Sequence, residues 1–330
     1  MTQRPVLEVS QLTTRFTTPH GPITAVDGVS FCVNRGETLG LVGESGSGKS
    51  VTAMSILRLV APPGRIESGA VILDGTDLIT LNDEQMRQRR GTKVGMVFQN
   101  PMTALNPVYS IGWQMHEALR AHGYQGDAQA TITRALAAVG MPDPARQAES
   151  FPHQMSGGMR QRVVLAMGML HEPQLLIADE PTTALDVTIQ AQVLDLMKRL
   201  TRERGTALLL ITHNMGVIAR MCDRVAVMYA GEIVEEAPVE ELFARPRHPY
   251  TQGLLRSIPR ADQTRGRMLS LAGAPPDMTR PLPGCRFRPR CEMARAGCEI
   301  HPELRETVSG HLARCWIAQE APVPERLCGQ

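Results

Sequence analysis

Gly43-Glu44-Ser45-Gly46-Ser47-Gly48-Lys49-Ser50 stands between the apolar run ETLGLVG (37–43) and the apolar-periodic stretch VTAMSILRLV (51–60). The order is strand, glycine-rich loop, helix, and the loop fits G-x-x-x-x-G-K-[ST] at every position. Its glycines let successive backbone N–H groups converge on one phosphate oxygen, and the helix opening at Ser50 adds the positive end of its dipole. Lys49, one of only three lysines in the chain, supplies charge for the β- and γ-phosphates. The Ser50 hydroxyl suits the shell of a Mg²⁺ ion.

Such a loop needs a carboxylate at the end of a buried strand. Leu175-Leu176-Ile177-Ala178-Asp179 supplies one, with Asp179 placed to hold Mg²⁺ through water and Glu180 as the candidate that polarises an attacking water. VLEVSQL (6–12), ITAVDGVSFCV (23–33), AVILDG (70–75), TKVGMVFQ (92–99) and ALLLITH (207–213) also read as strands, with Asp74-Gly75 as a turn. GGMRQRVVLAMGMLH (157–171) and VTIQAQVLDLMKRLTRERG (187–205) read as helices. Near-continuous apolar strands alternating with helices predict an α/β fold with a mostly parallel sheet covered on both faces. Residues from about 107 to 150 carry only helical periodicity, in IGWQMHEALRAHG and ATITRALAAVG, and read as a helical insertion.

The 330 residues are 42% hydrophobic and 21% charged, which allows a full core and excludes a disordered chain. A net charge of +2 leaves no whole-chain footprint for nucleic acid. Residues 245–330, however, hold 14 Arg against 8 Asp+Glu, a net of +6, and 11 of the 24 prolines. A separate, loop-rich tail is expected to begin near Arg245. No apolar run reaches the roughly 18–20 residues needed to cross a bilayer, and MTQRPVLEVS lacks the basic-then-apolar pattern of a secretory signal. A cytoplasmic protein is expected, with membrane contact only through a partner. Seven cysteines in that compartment argue against a disulfide framework.

Further motifs narrow the reading. Ser156-Gly157-Gly158 precedes an arginine-bearing helix (MRQR) and lies 23 residues before Asp179, Gln99 sits in VFQNP, Ala184-Leu185-Asp186 follows the acidic pair, and His213 ends LLLITH. In this order, over about residues 6–240, they resemble the signature, Q-loop, D-loop and switch histidine of the nucleotide-binding subunits of ABC transporters. The resemblance implies a P-loop NTPase cassette with an antiparallel β subdomain and a helical subdomain over about 100–160. It implies ATP as ligand, with Lys49 and the loop amides (Gly43, Glu44, Ser45, Gly46, Ser47, Gly48) on phosphate, and Ser50, Gln99 and Asp179 on Mg²⁺. Glu180 would orient water and His213 sense the γ-phosphate. Phe16, in TTRFTT, sits where an aromatic usually stacks on adenine; the plainer reading is a core side chain. Met159 stands where the signature usually has Gln, and altered tuning is expected there.

The resemblance implies that the Ser-Gly-Gly helix start is a second anion site that cannot reach the loop of its own chain. In the family two subunits sandwich two ATP molecules head to tail, so Ser156, Gly157 and Gly158 would serve a partner's nucleotide. Arg247-His248-Pro249-Tyr250-Thr251 followed by an LL pair, together with GESGSGKSVTA, resembles the first of the two ATPase subunits of oligopeptide and dipeptide importers. That implies a cassette over 1–244 and a C-terminal extension over 245–330. It also implies a second, paralogous ATPase subunit, two membrane permease subunits and an extracytoplasmic solute-binding protein, with this chain peripheral on the cytoplasmic face of the inner membrane. Relatives of this architecture also import nickel, glutathione or opines, so the solute stays open. The alternative is a non-transport ABC ATPase acting on nucleic acid or ribosomes. Those usually carry two cassettes or a long coiled-coil insertion, and this chain has neither.

Cys285, Cys291, Cys298 and Cys315 are spaced x5, x6 and x16. Four thiolates from loops can hold zinc or an iron–sulfur cubane, or remain unligated; the lack of a C-x-x-C pair tells against a zinc ribbon. The resemblance to dipeptide-importer ATPases with a similar cysteine pattern implies a [4Fe–4S] cluster, with zinc as the alternative. Cys32 and Cys222 read as core fillers and Cys328 as incidental.

Overall fold

The computed structural model describes residues 4–183, 185–258, 271–280 and 282–320. The glycine-rich loop follows a short, wholly buried strand. β1 (Leu7–Thr18), β2 (Gly21–Val33), β3 (Thr38–Val42), β4 (Gly64–Leu73), β5 (Thr76–Asp77) and β6 (Val94–Val97) make up the first part of the chain, with α1 (Lys49–Ile56) after the loop and α2 (Asp83–Arg89) ahead of β6. β1, β2, β4 and β5 form an antiparallel sheet in the order β2-β1-β4-β5. The expected 6–12 strand runs on to Thr18. A register shift beside Gln11, whose φ is 48°, lets the pairing resume beyond it.

A helical arm follows: α3 (Pro101–Ala104), α4 (Ile111–Arg120), α5 (Ala128–Ala138) and α6 (Pro144–Glu149), then α7 (Gly157–Gly168) leading back to the sheet. Beyond it come β7 (Leu175–Asp179), α8 (Val187–Arg204), β8 (Ala207–Thr212), α9 (Met215–Met221), β9 (Arg224–Tyr229), β10 (Glu232–Pro238) and α10 (Val239–Ala244). The last elements are α11 (Pro249–Arg256), β11 (Arg305–Val308), β12 (His311–Ala313) and α12 (Trp316–Glu320). The second sheet has eight strands in the order β11-β12-β10-β9-β3-β8-β7-β6. Its five strands from β6 to β9 are parallel, and β10, β12 and β11 continue it antiparallel.

Side chains alternate between two apolar layers, as a strand's period of two requires. Leu175, Ile177, Leu209 and Ile211 join Leu39 and Leu41 in a core shared with Leu7, Val71 and Leu73 of the antiparallel sheet. Leu176, Ala178, Leu208 and Leu210 face the opposite way, against Leu165, Leu194 and Met197 of α7 and α8. A third cluster gathers Tyr229, Tyr250 and Phe287, with ring centroids 4.6 to 5.5 Å apart. The sheet therefore runs across the boundary expected near Arg245, because β12 pairs with β10 through Glu235↔Ala313 and Glu236↔Leu312.

Candidate nucleotide site

Ligands of open α/β sheets bind beyond the carboxyl ends of the strands. Strand order brings four such ends together here, with β3, β8, β7 and β6 running into the glycine loop, His213, Asp179-Glu180 and Gln99 in turn. The loop has little room for side chains. A Cβ at Gly43 would lie 2.1 Å from the Met228 carbonyl oxygen, and one at Gly48, whose φ is +107°, 2.3 Å from that of Ala25. Ser45, Gly46 and Ser50 are exposed, Glu44 is half-buried, and Gly43, Ser47, Gly48 and Lys49 are buried. The Lys49 ammonium donates to the Gly43 and Glu44 carbonyls, both at 2.8 Å. Burial pushes its pKa down, and the charges of Glu180, Asp179 and Glu44 oppose that shift.

Asp179 is 5% exposed. Burial raises its pKa, and the neighbouring Ser50 hydroxyl and the charge of Lys49 pull it the other way. One of its oxygens, Oδ1, is buried with no hydrogen-bond partner. An orphaned buried carboxylate oxygen beside a serine hydroxyl is a donor set that fits Mg²⁺.

Glu180, at φ 45°, is turned out of the strand into the site. Its Oε2 accepts from Gln99 Nε2 at 2.9 Å and from Thr183 Oγ1 at 3.0 Å, and its Oε1 lies 2.9 Å from His213 Nδ1. Burial works against its charge, but the hydrogen bonds of His213 and Thr183 and the charges of His213 and Lys49 outweigh it and hold the carboxyl below its usual range. The structure thus gathers Lys49, Ser50, Gln99, Asp179, Glu180 and His213. Thr183 was not anticipated, although a hydroxyl three residues after the acid was open to notice.

Ser156, Gly157 and Gly158 stand apart from this group. Ser156 caps α7, accepting from Met159 N at 3.3 Å, and a Cβ on Gly158 would lie 2.6 Å from Ile189 Cγ2 at the start of α8. Ser156 and Gly157 are exposed, so the start of α7 is open to another molecule. Met159 packs partly buried against the α7–α8 core. Phe16 is half-buried on β1 beside Gly64, where a Cβ would lie 2.5 Å from its ring. Ala184 of the D-loop lies outside the described residues.

Comparison with known proteins supports the same reading. The family model for "ABC transporter" matches residues 26–183, and that for "Oligopeptide/dipeptide transporter, C-terminal region" matches residues 234–298. The chain is 46% identical over 318 residues to the oligopeptide transport ATP-binding protein OppD of Haemophilus influenzae, with 96% of this chain and 98% of the relative covered. It is also 46% identical over 319 residues to the dipeptide transport ATP-binding protein DppD of Bacillus subtilis, with 96% and 95% covered. The chain belongs to the ABC transporter family. Among solved structures, the dimeric bacterial ABC transporter cassette MJ0796 aligns with a TM-score of 0.63 at 27% identity, covering 71% of this chain and 98% of that one. Its dimer in a post-hydrolysis state with ADP and Pi aligns equally, at 26% identity with the same coverage.

This ABC ATPase carries beyond its cassette the motif that resembled the importer extension, and its hydrogen bonds explain the residue types. Arg247 N and His248 N donate to the buried Glu235 carboxylate at 2.6 and 3.0 Å, and His311 Nε2 lies 2.7 Å from the same group. His248 Nδ1 caps α11 by accepting from Tyr250 N at 3.1 Å. Pro249 takes the first helical position, where its missing N–H costs nothing. Tyr250 Oη accepts the Glu44 N–H at 2.9 Å, and Arg290 pairs with the Glu44 carboxylate. Neither contact to the loop was anticipated, since 206 and 246 residues separate the partners.

Cys285, Cys291, Cys298 and Cys315 line one small pocket with His248, Phe287 and Trp316. All four are free thiols. The backbone N–H of Phe287 lies near Cys285, that of Met293 near Cys291, and those of Ile317 and Ala318 near Cys315. Burial raises these three thiols, Cys285 to about 11, against the pull of those N–H groups and with the other cysteines adding to the shift. Among the described residues no three His, Cys, Asp or Glu side chains gather tightly enough to hold a metal ion. Cys32 is half-buried on β2, and Cys222 packs within the core beside Gly40. Cys328 lies outside the described residues.

Proposed function

We propose that this ABC ATPase energises the import of di- or oligopeptides through membrane permease subunits. One observation carries the reading: a complete nucleotide site whose loop is fastened to the oligopeptide/dipeptide C-terminal region. The 46% identity to both an oligopeptide and a dipeptide transport ATP-binding protein supports the solute class.

Hydrolysis of ATP needs positioning and charge neutralisation. In this reading the Lys49 ammonium leaves the Gly43 and Glu44 carbonyls for the β- and γ-phosphates, while the loop amides other than that of Glu44, which donates to Tyr250 Oη, wrap the β-phosphate. Ser50, Asp179 and Gln99 would hold Mg²⁺, which when bound neutralises phosphate charge. Glu180, kept ionised by its neighbours, orients water for attack on the γ-phosphorus, and His213 reports the γ-phosphate to Glu180. A paralogous ATPase subunit supplies its own Ser-Gly-Gly turn to this nucleotide and receives Ser156–Gly158 in exchange. Closure on ATP and release after hydrolysis are passed to two permease subunits, with an extracytoplasmic binding protein delivering solute.

No helix among the described residues is long and apolar enough to cross a membrane, which suits a peripheral subunit on the cytoplasmic face of the inner membrane. A docking surface for the permeases is supported by exposed Phe98, Met102, Val108, Tyr109 and Trp113 along the segment that begins at the Q-loop. Tyr109 and Trp113 stack there with ring centroids 3.9 Å apart. Reconstituted with its permease and ATPase partners, the chain should hydrolyse ATP faster when di- or oligopeptides and their binding protein are added. Stimulation by nickel or glutathione alone, with none by peptides, would replace the solute.

The four cysteines are read as ligands of a [4Fe–4S] cluster, in preference to zinc. Their shared, mostly apolar pocket supports it, and ligation would draw the sulfurs together from their present wider spacing. A bound cation would reverse the upward shift that burial imposes on the thiols. Anaerobically purified protein is expected to contain iron and absorb in the visible, and Cys315→Ser to lose most of both. A colourless preparation with stoichiometric zinc would refute the cluster.

A further inference from the structure

Glu44 lies inside the phosphate loop, one residue past its first glycine, yet the C-terminal region holds both its backbone and its side chain. Its N–H donates to Tyr250 Oη, and its carboxylate takes a two-pronged contact from Arg290, Nη1 to Oε2 at 2.7 Å and Nη2 to Oε1 at 3.0 Å. The Arg290 side chain is only 4% exposed and that of Glu44 28%. Arg290 is itself held in place. Its Nε donates to the Ala272 carbonyl at 3.0 Å, and its guanidinium lies 5.8 Å from the ring centroid of Tyr229 and 6.0 Å from that of Phe287. A forked, largely desolvated pair of this kind fixes geometry as well as charge.

The placement matters because of what surrounds Glu44. The Lys49 ammonium, which must serve the triphosphate, already donates to the Glu44 carbonyl at 2.8 Å, and Glu44 is among the charges acting on it. An unpaired carboxylate here would turn towards that ammonium and repel the incoming phosphates. We propose that Arg290 is a positioning residue for ATP binding: by holding Glu44 in a forked pair it keeps the loop open and reserves Lys49 for the nucleotide. The inference rests on the nucleotide reading of this site and does not depend on what the cysteines hold.

The test is the MgATP dependence of hydrolysis by the full-length chain in its transporter complex. Arg290→Met is expected to raise KM about tenfold, the scale of one lost charge-assisted hydrogen bond, with kcat within about twofold. Arg290→Lys, a point charge without the fork, should fall between. Adding Glu44→Gln to Arg290→Met should bring KM back to within about twofold of the parent, because the interfering charge is gone. A bracing role for Arg290 between two parts of the chain would show no such rescue. An unchanged KM in Arg290→Met, or a double variant as impaired as the single, would overturn the proposal. If Arg290→Met lowers the melting temperature, Arg290→Lys with and without Glu44→Gln decides by the same comparison. A parent chain that fails to bind ATP would instead sink the nucleotide reading itself.

Discussion

Glu180→Gln is expected to cut ATP hydrolysis in the assembled transporter by about a hundredfold or more, the usual weight of a positioned general base, while MgATP still binds. The carboxylate is placed for that role by its backbone and its neighbours together. φ 45° swings it out of β7, and Gln99, Thr183 and His213 hold its two oxygens at 2.9 to 3.0 Å. The hydrogen bonds of His213 and Thr183, with the charges of His213 and Lys49, keep it ionised against the burial that would protonate it, so near neutral pH it can accept a proton from water. Glutamine keeps the shape and one oxygen acceptor but cannot take that proton. Nucleotide-bound dimers should therefore accumulate. The measurement is single-turnover hydrolysis beside equilibrium binding, and a normal rate in the variant would remove Glu180 from the mechanism.

The second large effect is on stability and arises far from the phosphates. Glu235 is fully buried, yet it accepts from Arg247 N and His248 N and contacts His311 Nε2. Glu235→Ala would leave those donors enclosed without an acceptor, at a cost of about 3–5 kcal/mol. Thermal melting of the full-length chain should drop by about 5–10 °C on that account; an unmoved curve would show that the network bears no weight. The neighbouring His248 adds a pH dependence of known sign. Burial pushes its pKa from 6.5 down to about 4, partly opposed by Glu235, and its neutral ring is needed to accept from Tyr250 N. The unfolded chain takes up a proton as pH falls through 6.5 while the native one does not until near 4. Stability from this group is thus full above 6.5 and lost across that window.

The catalytic half of the molecule was legible because its chemistry is local. A strand, a loop of glycines and a helix lie within about two dozen consecutive residues, and Leu175–Asp179 ends in its own acid. β10 was opaque for the opposite reason. Its sequence EIVEEAP has three glutamates, and pattern reading assigns such a stretch to the surface, whereas Glu232, Glu235 and Glu236 are all buried. Glu236 is met by Arg224 on the neighbouring strand β9, but Glu232 and Glu235 are met by Arg286 and His311, more than fifty residues further along the chain, where no short window of sequence shows the partner. β11 and β12, with RETV and HLA, are too short and too polar to announce themselves. The motif around His248 was recognisable as a resemblance, but its contact with Glu44 belongs to tertiary structure alone.

Because β12 is hydrogen-bonded to β10 while β9 links β10 to the strand bearing the glycine loop, the tail is no interchangeable cartridge. Grafting another relative's tail onto this cassette would have to bring a matching register, a partner for Glu235 and an arginine for Glu44 in one step. Lineages of this architecture should accordingly inherit cassette and tail as a single piece, diverging along the helical arm and the surface long before the seam itself is recombined.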